Sequence, residues 1–148
     1  ASHMTAMLPA IVFLVAIFLA FSTGTSWGTF GILLPIIAGI NLPSELLVIT
    51  VSACLAGAVC GDHCSPISDT TVLASIGASC DHVDHFETQM PYAVTVAVIC
   101  GIMFVLAGLD YSPVMLMVAA VLLTVVVFVL HKLSVKKYGQ EKTPGKIS

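Results

Sequence analysis

Apolar residues run in blocks along the chain, each closed by a short polar or turn-forming stretch. Met7–Phe21 is apolar throughout and stops at Ser22-Thr23-Gly24-Thr25-Ser26-Trp27-Gly28-Thr29. Phe30–Ile40 follows, then a turn at Asn41-Leu42-Pro43-Ser44, where Ser44 or Asn41 can cap the next helix. As helices these two blocks reach about 22 Å or less, short of a hydrocarbon core of about 30 Å. The pattern predicts a re-entrant hairpin over 7–40, entering to mid-depth and leaving on the same side. The competing reading is one long crossing with a polar break. Glycines and hydroxyls at the tip favour reversal of the chain.

Leu46–Val59 and Val72–Ile76 look like one membrane crossing cut in the middle, each piece too short to span. Between them lies Cys60-Gly61-Asp62-His63-Cys64-Ser65-Pro66-Ile67-Ser68-Asp69-Thr70-Thr71. Gly61 permits unusual backbone angles, and Pro66 removes a donor and blocks a continuous helix. A discontinuous helix is therefore predicted over 45–80. Such a break survives at membrane depth only where protein or a wet cavity satisfies the freed backbone groups. A surface loop with solvated aspartates is the alternative. Cys80–Met90 is polar and predicted to be interfacial, with Pro91 placed to start the next helix. Tyr92–Leu109 and Val114–Leu130 predict two full crossings, over 91–109 and 113–133, joined by a turn at Asp110-Tyr111-Ser112-Pro113.

Composition sharpens the class. Of 148 residues, 58% are hydrophobic and 9% charged, against about 25% charged in soluble domains. The chain reads as an all-α integral membrane protein whose first partner is the lipid bilayer. Arginine is absent, and every lysine (Lys132, Lys136, Lys137, Lys142, Lys146) follows the last apolar block. The positive-inside rule then places the C-terminus, with its polar tail 135–148, in the cytoplasm. It leaves the Asp110 and Asn41 turns outside. There is no basic face for nucleic acid. Residues 1–4, Ala-Ser-His-Met, look like an expression-tag scar. No basic n-region precedes the first apolar block, so no signal peptide is predicted. The rest, 5–134, reads as part of a larger protein or a half that needs a partner.

Ionisable groups inside a membrane mark sites by default. Asp62 and Asp69 are therefore the leading candidates, expected to line one cavity shared with the Thr23–Thr29 tip. A partly dehydrated carboxylate can take a proton or a cation, because dehydration favours the neutral acid and a cation favours the anion. Ser65, Ser68, Thr70 and Thr71 are candidate oxygen ligands, as are Thr25, Ser26 and Thr29 across the tip. His63 is placed to tune Asp62 or sense pH, or serves as an ordinary hydrogen-bonded histidine. Trp27 closes the cavity or packs in the bundle. Glu45 and Asp110 sit near helix ends as solvated or capping groups.

The motif Gly24-Thr25-Ser26-Trp27-Gly28-Thr29-Phe30, the stretch Gly61–Thr71, and Asp84-His85 with Gln89-Met90-Pro91-Tyr92 resemble the NhaC-type sodium/proton antiporters of the ion transporter superfamily. The resemblance covers the C-terminal half of such a transporter. It implies one half of an inverted-repeat fold: a re-entrant helical hairpin, one discontinuous transmembrane helix and two full transmembrane helices. It implies secondary active transport in the cell membrane rather than enzymatic catalysis. Na⁺ and H⁺ are then the transported ions and no cofactor is called for. A missing N-terminal repeat or a second copy is the implied partner, with a homo-oligomer also possible. Asp69, at the start of the second half-helix, is expected to hold the cation, and Asp62, at the end of the first, to carry the proton more often.

Similar transporters also exchange organic acids or amino acids against Na⁺ or H⁺. Without arginine this segment offers no bidentate carboxylate clamp, which favours cations. A zinc module remains a rival, since Cys60, His63, Cys64, Cys80, His82 and His85 are all ligand types, but their spacing is not a standard one. An assembly module that does not transport by itself is the third alternative. The five cysteines, Cys54, Cys60, Cys64, Cys80 and Cys100, read as small packing residues rather than a disulfide framework.

Overall fold

The first apolar block forms helix α1, Leu8–Thr23, which ends where Gly24 turns left-handed at φ +67° and its N–H reaches the Ala20 carbonyl. Thr25 is extended, and α2, Ser26–Ala38, starts at once. The polar stretch 22–29 thus narrows to a two-residue break. Three of its hydroxyls bond locally instead of opening a loop: Ser22 donates to Phe18 O, Thr23 to Leu19 O and Thr29 to Thr25 O, at 2.7, 2.9 and 3.1 Å.

In this computed structural model, residues 6–109 and 114–138 are described. Among them there are four further helices and no strand: α3 Ser44–His63, α4 Asp69–Gly77, α5 His82–Leu109 and α6 Val114–Tyr138. The Asp110 turn, residues 1–4 and the end of the tail lie outside the described residues.

Two differences from the sequence reading matter. First, α3 runs on through Cys60, Gly61, Asp62 and His63, so the break is only Cys64–Ser68. At 20 residues α3 is long enough to cross a membrane, contrary to the expectation that each piece is too short. Glycine and aspartate keep their N–H groups and tolerate a helix. Pro66 does not, and the residue before a proline avoids the helical region. Second, α5 begins at His82 and carries Pro91 inside it. Asp81 starts it, accepting from the N–H groups of Val83 and Asp84 at 2.8 and 3.4 Å. The predicted interfacial stretch is therefore the first two turns of a helix. By length and composition α3 and α5 are suited to span a membrane, whereas α1 and α2 are apolar but shorter. The helical backbone of α6 reaches into the stretch expected as tail.

The bundle is built on close approach of α1 and α3. Gly57 and Gly61, one turn apart, face the backbone of Phe13 and Ile17; a methyl group on either would run into those carbonyls. Ala16, Ala20, Cys54 and Ala58 complete a buried seam of small residues. Such seams let helices pack by contact alone, without a hydrophobic drive. Leu33 and Ile37 of α2 join the same cluster. Phe13 stacks on Phe104 of α5, ring centroids 5.2 Å apart, and sits over Gly101. Elsewhere large apolar side chains face outward, including Phe18, Trp27, Ile36, Leu73 and Met117. A surface so apolar requires lipid or further protein over it.

Candidate functional site

The break between α3 and α4 gathers most of the candidate residues. Asp62 lies in the last turn of α3 and is 2% exposed. Ser68 is fully buried and donates from Oγ to Asp62 Oδ1 at 2.6 Å. It also stands 2.7 Å from Thr70 Oγ1. Ser68 has one hydroxyl hydrogen, directed at Asp62, so Thr70 is the donor in the second bond. The hydrogens run inward, from exposed Thr70 through Ser68 to the carboxylate.

Ser68 is the N-cap residue of α4, yet its side chain makes no cap bond. Forgoing a serine cap costs about 1 kcal/mol. A hydrogen bond to a charged carboxylate contributes about 1.5–3 kcal/mol, enough to decide the choice. Thr71, the third residue of α4, is 2% exposed, and its Oγ1 has no hydrogen-bond partner among the described residues. A buried hydroxyl without a partner costs about 1–3 kcal/mol. It also leaves lone pairs free for a cation.

The turn between α1 and α2 meets this break directly. Ser65, fully buried, donates to Phe21 O of α1 at 2.8 Å, taking up one of the carbonyls that a helix end leaves open. Gly24 packs against the Ile67 carbonyl so closely that an added Cβ would stand 2.8 Å from its oxygen. Ser26 and Thr29 on α2 are buried, and Thr25 in the break before it is half-buried. The other candidates are placed differently. Asp69 is exposed in the first turn of α4, where the helix dipole favours its charge. His63 is exposed, its Nδ1 bonded to Val59 O one turn back at 2.8 Å. Two cavities of about 580 and 570 Å³ lie along α5; they are lined by residues such as Phe13, Val59, Cys60 and Ala97, and neither includes Asp62 or Asp69. Trp27 is 81% exposed and packs edge-on against Phe30. Among the described residues no three of the histidines, cysteines and acids converge as a metal site.

Two residues that the sequence reading did not assign to the site hold the break from outside. His82 Nε2 donates to Pro66 O at 2.7 Å, and Gln89 Nε2 donates to His63 O at 3.3 Å. Both come from the first two turns of α5. The signal was present as a helical period: His82, His85, Phe86 and Gln89 are half-buried, and Val83, Asp84, Glu87 and Thr88 between them are exposed.

A model of the Na⁺/H⁺ antiporter family matches residues 1–109. The chain belongs to the Na⁺/H⁺ antiporter family. Membership supports a membrane protein. The chain is 54% identical over 128 residues to an uncharacterized protein of Haemophilus influenzae, covering 84% of this chain and 25% of that protein. It is 37% identical over 95 residues to the malate-2H⁺/Na⁺-lactate antiporter of Bacillus subtilis, covering 62% and 20%. It is 32% identical over 112 residues to an uncharacterized Na⁺/H⁺ antiporter of Haemophilus influenzae, covering 72% and 24%. The chain thus spans a quarter or less of the length of these relatives. No solved structure matches it.

Proposed function

We propose that this segment carries the ion-exchange site of a Na⁺/H⁺ antiporter, with Asp62 as the group that H⁺ and Na⁺ contest. The observation that carries the reading is the hydrogen-bonded chain from exposed Thr70 through buried Ser68 to buried Asp62, across the break in an otherwise apolar helix pair. A proton arriving at Thr70 moves inward by successive transfers: Thr70 passes its own hydrogen to Ser68, and Ser68 passes its hydrogen to Asp62. The product is a neutral acid, and the hydroxyl hydrogens then point outward. Na⁺ arriving at Asp62 displaces that proton back along Ser68 and Thr70, and takes oxygen ligands from Asp62 and the hydroxyls of Ser68, Thr70 and Thr71. The hydroxyl of Thr71 supports this, since it is buried with no partner among the described residues. Asp69, exposed beside the break, is read as the cation's entry group, completed by protein that covers this face in the whole transporter.

In this reading α1 and α2 form the re-entrant hairpin, α3 and α4 the discontinuous crossing, and α5 and α6 two full crossings of a multi-pass protein. The lysines from Lys132 onward put the C-terminal side in the cytoplasm. External cysteine labelling should modify a reporter at Ser112 and spare one at Gly139; the reverse pattern contradicts the topology. The covering protein is the remainder of the transporter, a repeat related to this one, or a second copy.

The test is a pH-gradient assay in everted vesicles bearing the full-length protein. Asp62→Asn keeps the side chain's shape but cannot hold a proton or balance a cation, so Na⁺-driven H⁺ movement should be lost at normal protein level. Asp69→Asn should weaken it severely. Wild-type exchange by both variants would place the site elsewhere. A second reading, coupled organic-acid exchange, is favoured by the name of the Bacillus subtilis relative. Malate- or lactate-dependent H⁺ movement in the same vesicles distinguishes it.

A further inference from the structure

The break frees backbone carbonyls, and two of them flank the site. His63 follows Asp62 in the chain, and Pro66 stands two residues before Ser68. Each accepts a side-chain bond from α5, His63 O from Gln89 and Pro66 O from His82. A carbonyl only accepts, so His82 carries a hydrogen on Nε2. The other ring nitrogen of His82 lies 3.4 Å from Ser75 Oγ on α4, and Ser75 is 2% exposed. Ser75 itself donates to Val72 O at 2.8 Å. His82 therefore touches the break and the second half-helix together, while Gln89, two turns further along the same face, holds the end of the first. The first turns of α5 fix both ends of the span that separates Asp62 from Ser68.

We infer that His82 and Gln89 are positioning residues for ion exchange: they hold the break in the shape that keeps Ser68 on Asp62, without touching the ion. This rests on the reading of Asp62 given above. A bond of 2.6 Å between Ser68 and Asp62 tolerates little drift, and releasing Pro66 lets the segment that carries Ser68 move. The effect falls on cation affinity before it falls on maximal rate, because the ligand oxygens lose their preset arrangement.

The experiment measures Na⁺-driven H⁺ movement in everted vesicles with the full-length transporter, varying Na⁺ and checking protein level. His82→Ala should raise the half-saturating Na⁺ concentration about tenfold, the size a single hydrogen bond commands, and change the maximal rate far less. His82→Gln retains an N–H donor for Pro66 O and should recover most of the loss, whereas His82→Leu should not. A purely structural role would lower protein level or maximal rate and would not be rescued selectively by a donor. Gln89→Leu gives a second route should His82→Ala fail to accumulate; it should shift Na⁺ dependence in the same direction by less, its bond being longer at 3.3 Å. Half-saturation within about twofold of wild type for both His82→Ala and Gln89→Leu, or no advantage of His82→Gln over His82→Leu, overturns the inference. Asp62→Asn in the same assay separates two failures. If it is inactive while His82→Ala is normal, the positioning role alone falls. If it is fully active, the reading of the site falls and the positioning role falls with it.

Discussion

Two of the breaks between helices, Gly24-Thr25 and Cys64–Ser68, are built on opposite terms. The Gly24-Thr25 break is short and local: one left-handed glycine turns the chain, and the hydroxyls of Thr23 and Thr29 beside it bond to a carbonyl of α1 and of the break itself. It holds no ionisable group. The Cys64–Ser68 break is satisfied from elsewhere, with Ser65 bonded to α1 and with Pro66 and the end of α3 bonded from α5. Its own cap residue turns away from α4 to a buried carboxylate. The contrast teaches that a polar interruption is not in itself a site. What distinguishes the second is that distant elements are arranged to support it, so that the Ser68 hydroxyl is free to face Asp62.

The largest expected effect is on what both breaks share, the α1–α3 contact. Gly61→Val would drive a side chain into the Ile17 backbone, which cannot yield without parting the helices. Full-length protein carrying it should fail to accumulate in membranes. Gly77→Ala, where nothing stands within 4 Å, should accumulate normally. Equal levels for the two would show that the seam does not hold the breaks in register.

The next prediction sets one break against the other. Ser68→Ala removes a bond to a carboxylate, an interaction of about 1.5–3 kcal/mol, and should lower exchange by about ten- to a hundredfold. Thr29→Ala removes a bond to a helix carbonyl worth about 1 kcal/mol. It should leave exchange nearly unchanged and lower thermal stability slightly in detergent. Initial rates and melting curves of the two variants read this directly, and equal transport losses would erase the distinction between the breaks.

Much of this was legible from residue order. The apolar blocks located α1, α2 and the last two helices, and Pro66 located the break. The break's extent was misread because Gly61 and Asp62 look like helix breakers while each still makes an ordinary helical bond. The start of α5 was misread because Pro91 is the louder signal, although Asp81 is a capping residue and Pro91 is tolerated inside the helix. Asp62 and Ser68 were singled out together, but their pairing depends on the path of the intervening residues, which no spacing rule supplies. His82 and Gln89 stand 16 and 26 positions from the carbonyls they hold, and only the fold brings them there.

A smaller effect is expected at Thr71. Thr71→Val keeps the shape and removes the hydroxyl that has no partner among the described residues. Stability without Na⁺ should rise by up to about 1 kcal/mol, while half-saturating Na⁺ should rise a few-fold if the hydroxyl serves the cation. Thermal melts with and without Na⁺ separate the two. A loss of stability in the absence of Na⁺ would show that the hydroxyl already has a partner in the full transporter.

The account stands on Asp62 holding either a proton or a sodium ion. An apolar carbodiimide reacts with a protonated carboxyl buried in a membrane protein, and the modified residue is read by mass spectrometry of the full-length transporter. Asp62 should be labelled, more at acidic than at alkaline pH. Na⁺ at ten times its half-saturating level should slow the labelling about tenfold, by occupying the ionised form. Labelling of Asp62 that is indifferent to Na⁺, with Na⁺ protection found at another carboxylate, would contradict the account.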